Sequence, residues 1–128
     1  MDVGTGDVLV RALLGAGPVN IYLFDVVGTL DISNGPVKLA QVINLRHAGH
    51  IVGLCGNWGF FINFCPGWEN FLNLIGPIGT SKALYMAQLK MYVRAERYVL
   101  VGNSPPDDIE ARDAGWEFVH ERDFKEGL

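Results

Sequence analysis

Basic charge is what this sequence has least of: ten Lys and Arg against fourteen Asp and Glu, for a formal net charge of −4 over 128 residues. The basic side chains are scattered singly from Arg11 to Lys125, so there is no basic face and no electrostatic footprint for nucleic acid. Long apolar runs are lacking too. A membrane span takes roughly 18 to 20 consecutive apolar residues, and no stretch approaches that, so no membrane partner is expected. The opening MDVGTGDVLVRALLGAGPV has no basic leader before its short apolar stretch. That predicts an unsecreted, cytoplasmic protein or a component of an intracellularly assembled complex or virion. Cysteine is limited to Cys55 and Cys65, in no CxxC or zinc-ligand spacing, which predicts reduced, packed thiols. His47 and His50 share i, i+3 spacing but have no third ligand, so they read as a solvated helix end.

What is present is apolar substance. Hydrophobic residues make up 49% and charged residues 19%, a composition that folds, at a length that fits one domain. Residues 1–19 read as an N-terminal extension in which 7–14, DVLVRALL, form a short helix stopped by Gly15, Gly17 and Pro18. Residues 20–128 read as the domain proper. Ile21, Tyr22, Leu23 and Phe24 form a buried strand running into Asp25, and Gly28 permits a turn after it. Residues 36–47 have helical spacing, with Pro36 near the start and Gly49 beyond the end. Residues 50–55 are a second strand. Residues 58–78 are broken by Pro66-Gly67 and Gly76-Pro77 and read as two short helical pieces. A helix capped by Thr80 or Ser81 is predicted to run to Arg94 with Leu84, Ala87 and Met91 inward. Residues 98–101 are a third strand, 107–114 a helix ended by Gly115, and 117–120 a closing strand. This alternation predicts an α/β, Rossmann-like three-layer sandwich with a mostly parallel sheet, whose ligands bind beyond the carboxyl ends of the strands.

Polar residues gather at those ends: Asp25, Asn57, Asn103 and Asp108. A carboxylate held where a buried strand opens into a glycine loop suits a nucleophile or a metal ligand, although it also suits a turn cap. The second acidic group, Asp107-Asp108, opens a helix, where acids favour the dipole with or without a functional role. Alone, that signal is structural; in combination, two parallel strands ending in Asp25 and Asn103, with Lys82 opening the intervening helix, make a cation-binding carboxylate cluster with a basic phosphate partner.

The segment Ile21-Tyr22-Leu23-Phe24-Asp25-Val26-Val27-Gly28-Thr29-Leu30 resembles the first motif of the haloacid dehalogenase-like (HAD-like) superfamily, a hydrophobic strand leading to Asp-x-Asp-Gly-Thr-Leu. Residues 99–115, VLVGNSPPDDIEARDAG, resemble the fourth motif with its following helix. Residues 50–57 are similar to the second motif, and Ser81-Lys82 to the third. The resemblance implies a minimal, capless phosphohydrolase domain. In it Asp25 is the nucleophile, Lys82 offsets phosphoryl charge, and Gly56, Asn57 and Lys82 line the phosphate position. Magnesium is the implied cofactor, with Asp25, the Val27 carbonyl, Asn103 and Asp108 as its ligands, and a phosphorylated small molecule is the implied substrate.

Departures from the family pattern bear on activity. Val27 stands where the phosphatases keep a second Asp as general acid and base, and losing such a group costs on the order of 10²- to 10⁴-fold in rate. Gly56 replaces a phosphate-binding hydroxyl, with Cys55 as an alternative alignment and a poorer donor. Asn103 replaces an Asp and removes a negative charge from a site for a hard cation. The expected function is a HAD-like domain with an impaired catalytic site, retained for binding or assembly, with a slow magnesium-dependent phosphohydrolase acting through Asp25 as the alternative.

No large cap is encoded, only about 25 residues between Asn57 and Ser81. There Trp58, Phe60, Phe61, Phe64, Trp68 and Phe71 crowd fourteen positions. They either fill the core or form a surface for self-association or a protein partner, since interfaces are rich in such side chains.

Overall fold

Runs of β-branched and aromatic residues pair into one five-stranded sheet, in the order β3-β2-β1-β4-β5. The computed structural model describes residues 19–26, 29–31, 34–56, 58–59, 66–70, 72–76 and 82–125. Along the chain these are β1 (Asn20–Asp25), α1 (Leu39–His47), β2 (Ile51–Cys55), β3 (Leu74–Ile75), α2 (Lys82–Tyr92), β4 (Arg97–Gly102), α3 (Pro105–Asp113) and β5 (Glu117–His120). Every pairing is parallel, so the α/β, Rossmann-like class expected from the alternation is the fold. The short helix expected at 7–14 lies outside the described residues.

A parallel sheet buried on both faces calls for near-continuous apolar strands. Accordingly, Ile21, Tyr22, Leu23 and Phe24 are all buried. Their alternation divides the core. Tyr22, Phe24, Val52, Leu54, Val99 and Val101 face α1, through Val42 and Leu45. Ile21, Leu23, Ile51, Cys55 and Leu100 face α2 and α3, through Met86, Val93 and Ala111. Parallel crossovers are right-handed, so connections that run in opposite directions along a sheet lie on opposite faces. The β1-to-β2 connection carries α1 on one face, and the returns through α2 and α3 lie on the other. Between β1 and β4 the direction of winding reverses, and sheets of this class bind ligands beyond the strand ends at such a point. Each fully buried aliphatic or aromatic side chain contributes about 2 kcal/mol relative to exposure.

Helix starts differ from the sequence expectation for local reasons. Residues 36–38 are not helical, because Val37 bridges Leu30, with Val37 N donating to Thr29 O at 2.9 Å and Asp31 N to Val37 O at 2.8 Å. The third helix starts at Pro105 rather than Asp107. Proline is pre-shaped for a first helical turn, and Ser104 serves as the N-cap.

The inward face of α2 is corrected in part, since Ala87 packs against the core as expected but its two companions do not. Leu84 and Met91 are 63% and 73% exposed, whereas Met86 is fully buried. Residues 82, 86, 89 and 93 share one face at i, i+4, i+7, i+11 spacing, so the turn that aims Lys82 at the strand ends also turns Met86 and Val93 into the core. Where two short helical pieces were expected, the described residues hold helical backbone at 58–59 and a 3-10 turn at Trp68–Asn70, and beyond them the two-residue β3, which was not expected. Asn73 extends that pairing, donating from its N–H to Val52 O at 2.8 Å and accepting from Val52 N at 2.9 Å through Oδ1. His50 is no solvated helix end: it accepts from Asn20 N at 3.0 Å and packs edge-on against Tyr22.

Candidate functional site

Strand periodicity aims the first site residue. Asp25 shares the parity of Ile21 and Leu23, which puts it on the side of the sheet where α2 and α3 begin. It stands beside Cys55 in the register, at the end of β1. Its Oδ1 accepts from Val26 N at 3.0 Å. Burial raises the Asp25 pKa above the ordinary value; the positive Lys82 counteracts this, and the neighbouring Asp107 carboxylate adds to it.

The other two members come from the two helices on that side. Lys82, the first residue of α2, reaches Asp107 Oδ1 at 2.6 Å and Asp25 Oδ1 at 4.0 Å. Asp107 is 2% exposed and completes its coordination with the N–H groups of Asn103 and Ser104, each 3.3 Å from Oδ2. Burial alone would raise the Asp107 pKa, but the hydrogen bond and charge of Lys82, with the Ser104 contacts, outweigh it and hold the carboxyl below its ordinary value. Burial likewise opposes the Lys82 charge, yet its hydrogen bond to Asp107 and the surrounding negative groups keep the ammonium above its usual range. The two adjacent carboxylates therefore shift in opposite directions, Asp25 upward chiefly through burial and Asp107 downward through Lys82.

Two glycines make the room. Gly56 has φ +72°, and a Cβ on it would lie 2.2 Å from Asp25 Oδ1. Gly102, at the end of β4, lies similarly against the second acid, since a Cβ there would be 2.6 Å from Asp107 Oδ2. At Gly56, then, any side chain would displace Asp25 from the position it holds. Burial pushes the Cys55 thiol far above its ordinary range, so it is a poor source of a thiolate or of a donor to an anion.

The site residues expected from sequence are thus distributed as follows. Asp25 and Lys82 come together, with Gly56 against Asp25. Asn103 contributes its backbone N–H to Asp107. Asp108 points elsewhere: it pairs with Arg112 of its own helix at 2.7 Å and lines a cleft of about 320 Å³ with Asn103, Ser104, Pro105, Phe118 and His120. The acid that joins the cluster is its neighbour Asp107, which sequence reasoning passed over. One signal marked it, because Ser104 followed three residues later by an acid is the spacing of a capping box, in which that acid folds back over the helix start. Val27 and Asn57 lie outside the described residues.

Two of the six aromatic residues of the 58–71 segment are described in full. Trp58 and Trp68 are half-buried against the α1-side core, and the Trp58 indole N–H donates to Gly76 O. Phe60, Phe61, Phe64 and Phe71 lie outside the described residues.

As a cation site the donors are sparse but of the right kind. Among the described residues no group of three or more His, Cys, Asp or Glu side chains gathers for a metal. Magnesium needs no such cage, since it is commonly held by one or two carboxylates with water and phosphate oxygens around it, and Asp25 with Asp107 fits that pattern. Asp107, with three donors on about four lone-pair positions, has little capacity left, which makes Asp25 the more available ligand. No helix among the described residues is long and apolar enough to cross a membrane. Compared with known proteins, the chain matches no family model, no curated protein and no solved structure.

Proposed function

We propose that this chain is a HAD-like domain whose Asp25–Lys82–Asp107 cluster recognises a phosphoryl group together with magnesium but turns it over poorly, and that it is retained for binding or assembly. The observation that carries the reading is the convergence on Lys82 of two carboxylates, one at the end of β1 and one in the first turn of α3, 4.0 Å and 2.6 Å away, beside the point where the sheet reverses its winding. Asp25 and Asp107 would hold the magnesium, which supplies positive charge for the phosphoryl oxygens when bound. Lys82 offsets the remaining charge, and Gly56, lacking a Cβ, leaves the Asp25 carboxylate its present position. Poor turnover follows from Val27, which has no proton to give where the resemblance calls for an acid and base. A phosphorylated small molecule is the matching ligand, and the aromatic residues from Trp58 to Phe71 are the matching surface for self-association or a protein partner. Native mass measurement tests the latter.

Asp25, 4.0 Å from Lys82, supports a second reading, a slow phosphohydrolase acting through an aspartyl-phosphate. One experiment separates the two. Calorimetric binding of orthophosphate with magnesium is measured beside magnesium-dependent phosphate release from an aryl phosphate, for the native protein and for Asp25→Asn. Binding that needs Asp25, with release at the Asn background, is the expected result. Release that disappears in Asp25→Asn establishes the second reading, and absence of both binding and release defeats both.

A further inference from the structure

Lys82 is the sole cation of the described cluster, and it stands on the first turn of α2, where backbone N–H groups have no partner within the helix. Helix α3 supplies one. Glu110 Oε2 accepts from Ala83 N at 3.0 Å, while Asp107, three residues earlier on α3, takes the Lys82 ammonium at 2.6 Å. Residues three apart on a helix share a face. Consecutive residues of α2 are therefore gripped by two acids one turn apart on α3, one through a side chain and the other through the backbone. We propose that Glu110 is a positioning residue: by capping α2 from the neighbouring helix it fixes the place and direction of Lys82, and so the charge balance around Asp25.

The geometry separates Glu110 from an ordinary surface acid. Its carboxylate is partly buried and is spent on a main-chain donor rather than on a cation. A negative group at a helix N-terminus is favoured by the dipole as well as by the hydrogen bond. Without it the first turn of α2 is free to fray, and the side chain it carries leaves Asp107. The inference rests on reading Lys82 as the cation of the phosphoryl site. Its test uses no phosphate and no magnesium, so it stands or falls separately from that reading.

The experiment is pulsed acylation of lysine amines read by mass spectrometry, residue by residue, on the folded chain. Lys38, Lys90 and Lys125 report general loosening, and Lys82 reports the grip. Glu110→Ala is expected to raise the Lys82 rate about fivefold, the factor that loss of an ordinary helix cap makes in an equilibrium, with the other lysines unchanged. Glu110→Gln keeps an acceptor of the same reach and is expected to leave Lys82 at its native rate. Glu110→Asp keeps the charge but falls one methylene short, and is expected to behave like Glu110→Ala. Should Glu110→Ala not fold, the Gln and Asp variants decide the matter between them. A native rate in Glu110→Asp, a raised rate in Glu110→Gln, or a rise shared by all the lysines overturns the proposal.

Discussion

The backbone of Gly56 approaches the carboxylate of Asp25 so closely that a single methyl group would sit 2.2 Å from Oδ1. The hydroxyl expected at this position from the resemblance and the present Asp25 geometry are therefore incompatible. The predicted consequence is sharp. Gly56→Ala should lower stability by about 2 kcal/mol through its left-handed φ alone, and further by moving Asp25. Gly67 is the control: its φ is also positive at +84°, but a Cβ there meets only the Asn70 side chain at 3.2 Å. Urea unfolding of the two Ala variants should show the larger loss at position 56, and only that variant should lose affinity for magnesium with phosphate.

The ion pair between Lys82 and Asp107 should behave as a buried one, because their side chains are 18% and 2% exposed. Removing the cation leaves Asp107 with two amide donors and no counter-charge. Lys82→Met is expected to cost about 3 kcal/mol at neutral pH. Combining it with Asp107→Asn should cost less than the sum of the single changes, with a coupling on the order of 1 to 3 kcal/mol in a denaturation cycle. Additive losses would mean that the pair is a bystander.

Much of this was legible in the sequence because buried parallel strands leave little choice. Ile21 to Phe24, the apolar run into Cys55, and Tyr98 to Val101 can be little other than strands once turns and helices bound them. The two-residue β3 had no such pattern: it pairs with Gly53 and Leu54 of β2, and the preceding Asn73 adds a side-chain bond that no periodicity reports. Asp25 and Lys82 were legible because strand ends and helix starts meet at the same edge of an α/β sheet. Asp107 was harder. Adjacent residues on a helix point about 100° apart, so the choice between Asp107 and Asp108 depends on where the helix begins. Placing that start at Asp107 rather than Pro105 hid the cap that turns Asp107 inward.

Helix α2 poses the same difficulty, and it can be tested. Its sequence KALYMAQLKMY offers two apolar stripes, one through Leu84 and Met91 and one through Met86 and Leu89. The direction of Lys82 selects the second. Met86→Ala is therefore expected to cost 2 to 5 kcal/mol by the ordinary rule for a buried methionine. Met91→Ala should change stability by no more than about 0.5 kcal/mol. Thermal or urea unfolding of the two variants measures the difference, and equal losses would show that the helix is turned otherwise.

The carboxylates also predict how stability responds to acid. Asp107 has its folded pKa lowered, so its contribution is present above the ordinary carboxylate value and is lost as pH falls through the folded value below it. Asp25 has its folded pKa raised, chiefly by burial, so its contribution is full below the ordinary value of 3.8 and is lost as pH rises through the folded one. At neutral pH the raised pKa of Asp25 is thus a net cost to folding. Asp25→Asn has nearly the same shape and no charge to bury, and should be more stable than the native protein at pH 7. Its advantage should shrink as pH is lowered toward 3.8, because the native carboxyl then takes up its proton. Asp107→Asn should show the reverse, being less stable than the native protein at pH 7 and converging with it only once the solution is more acidic than the ordinary carboxylate value. Urea midpoints for the three proteins at several pH values measure both trends. A native protein more stable than Asp25→Asn at pH 7 would mean that Lys82 outweighs burial at Asp25, and that the site holds two ionised carboxylates ready for a cation.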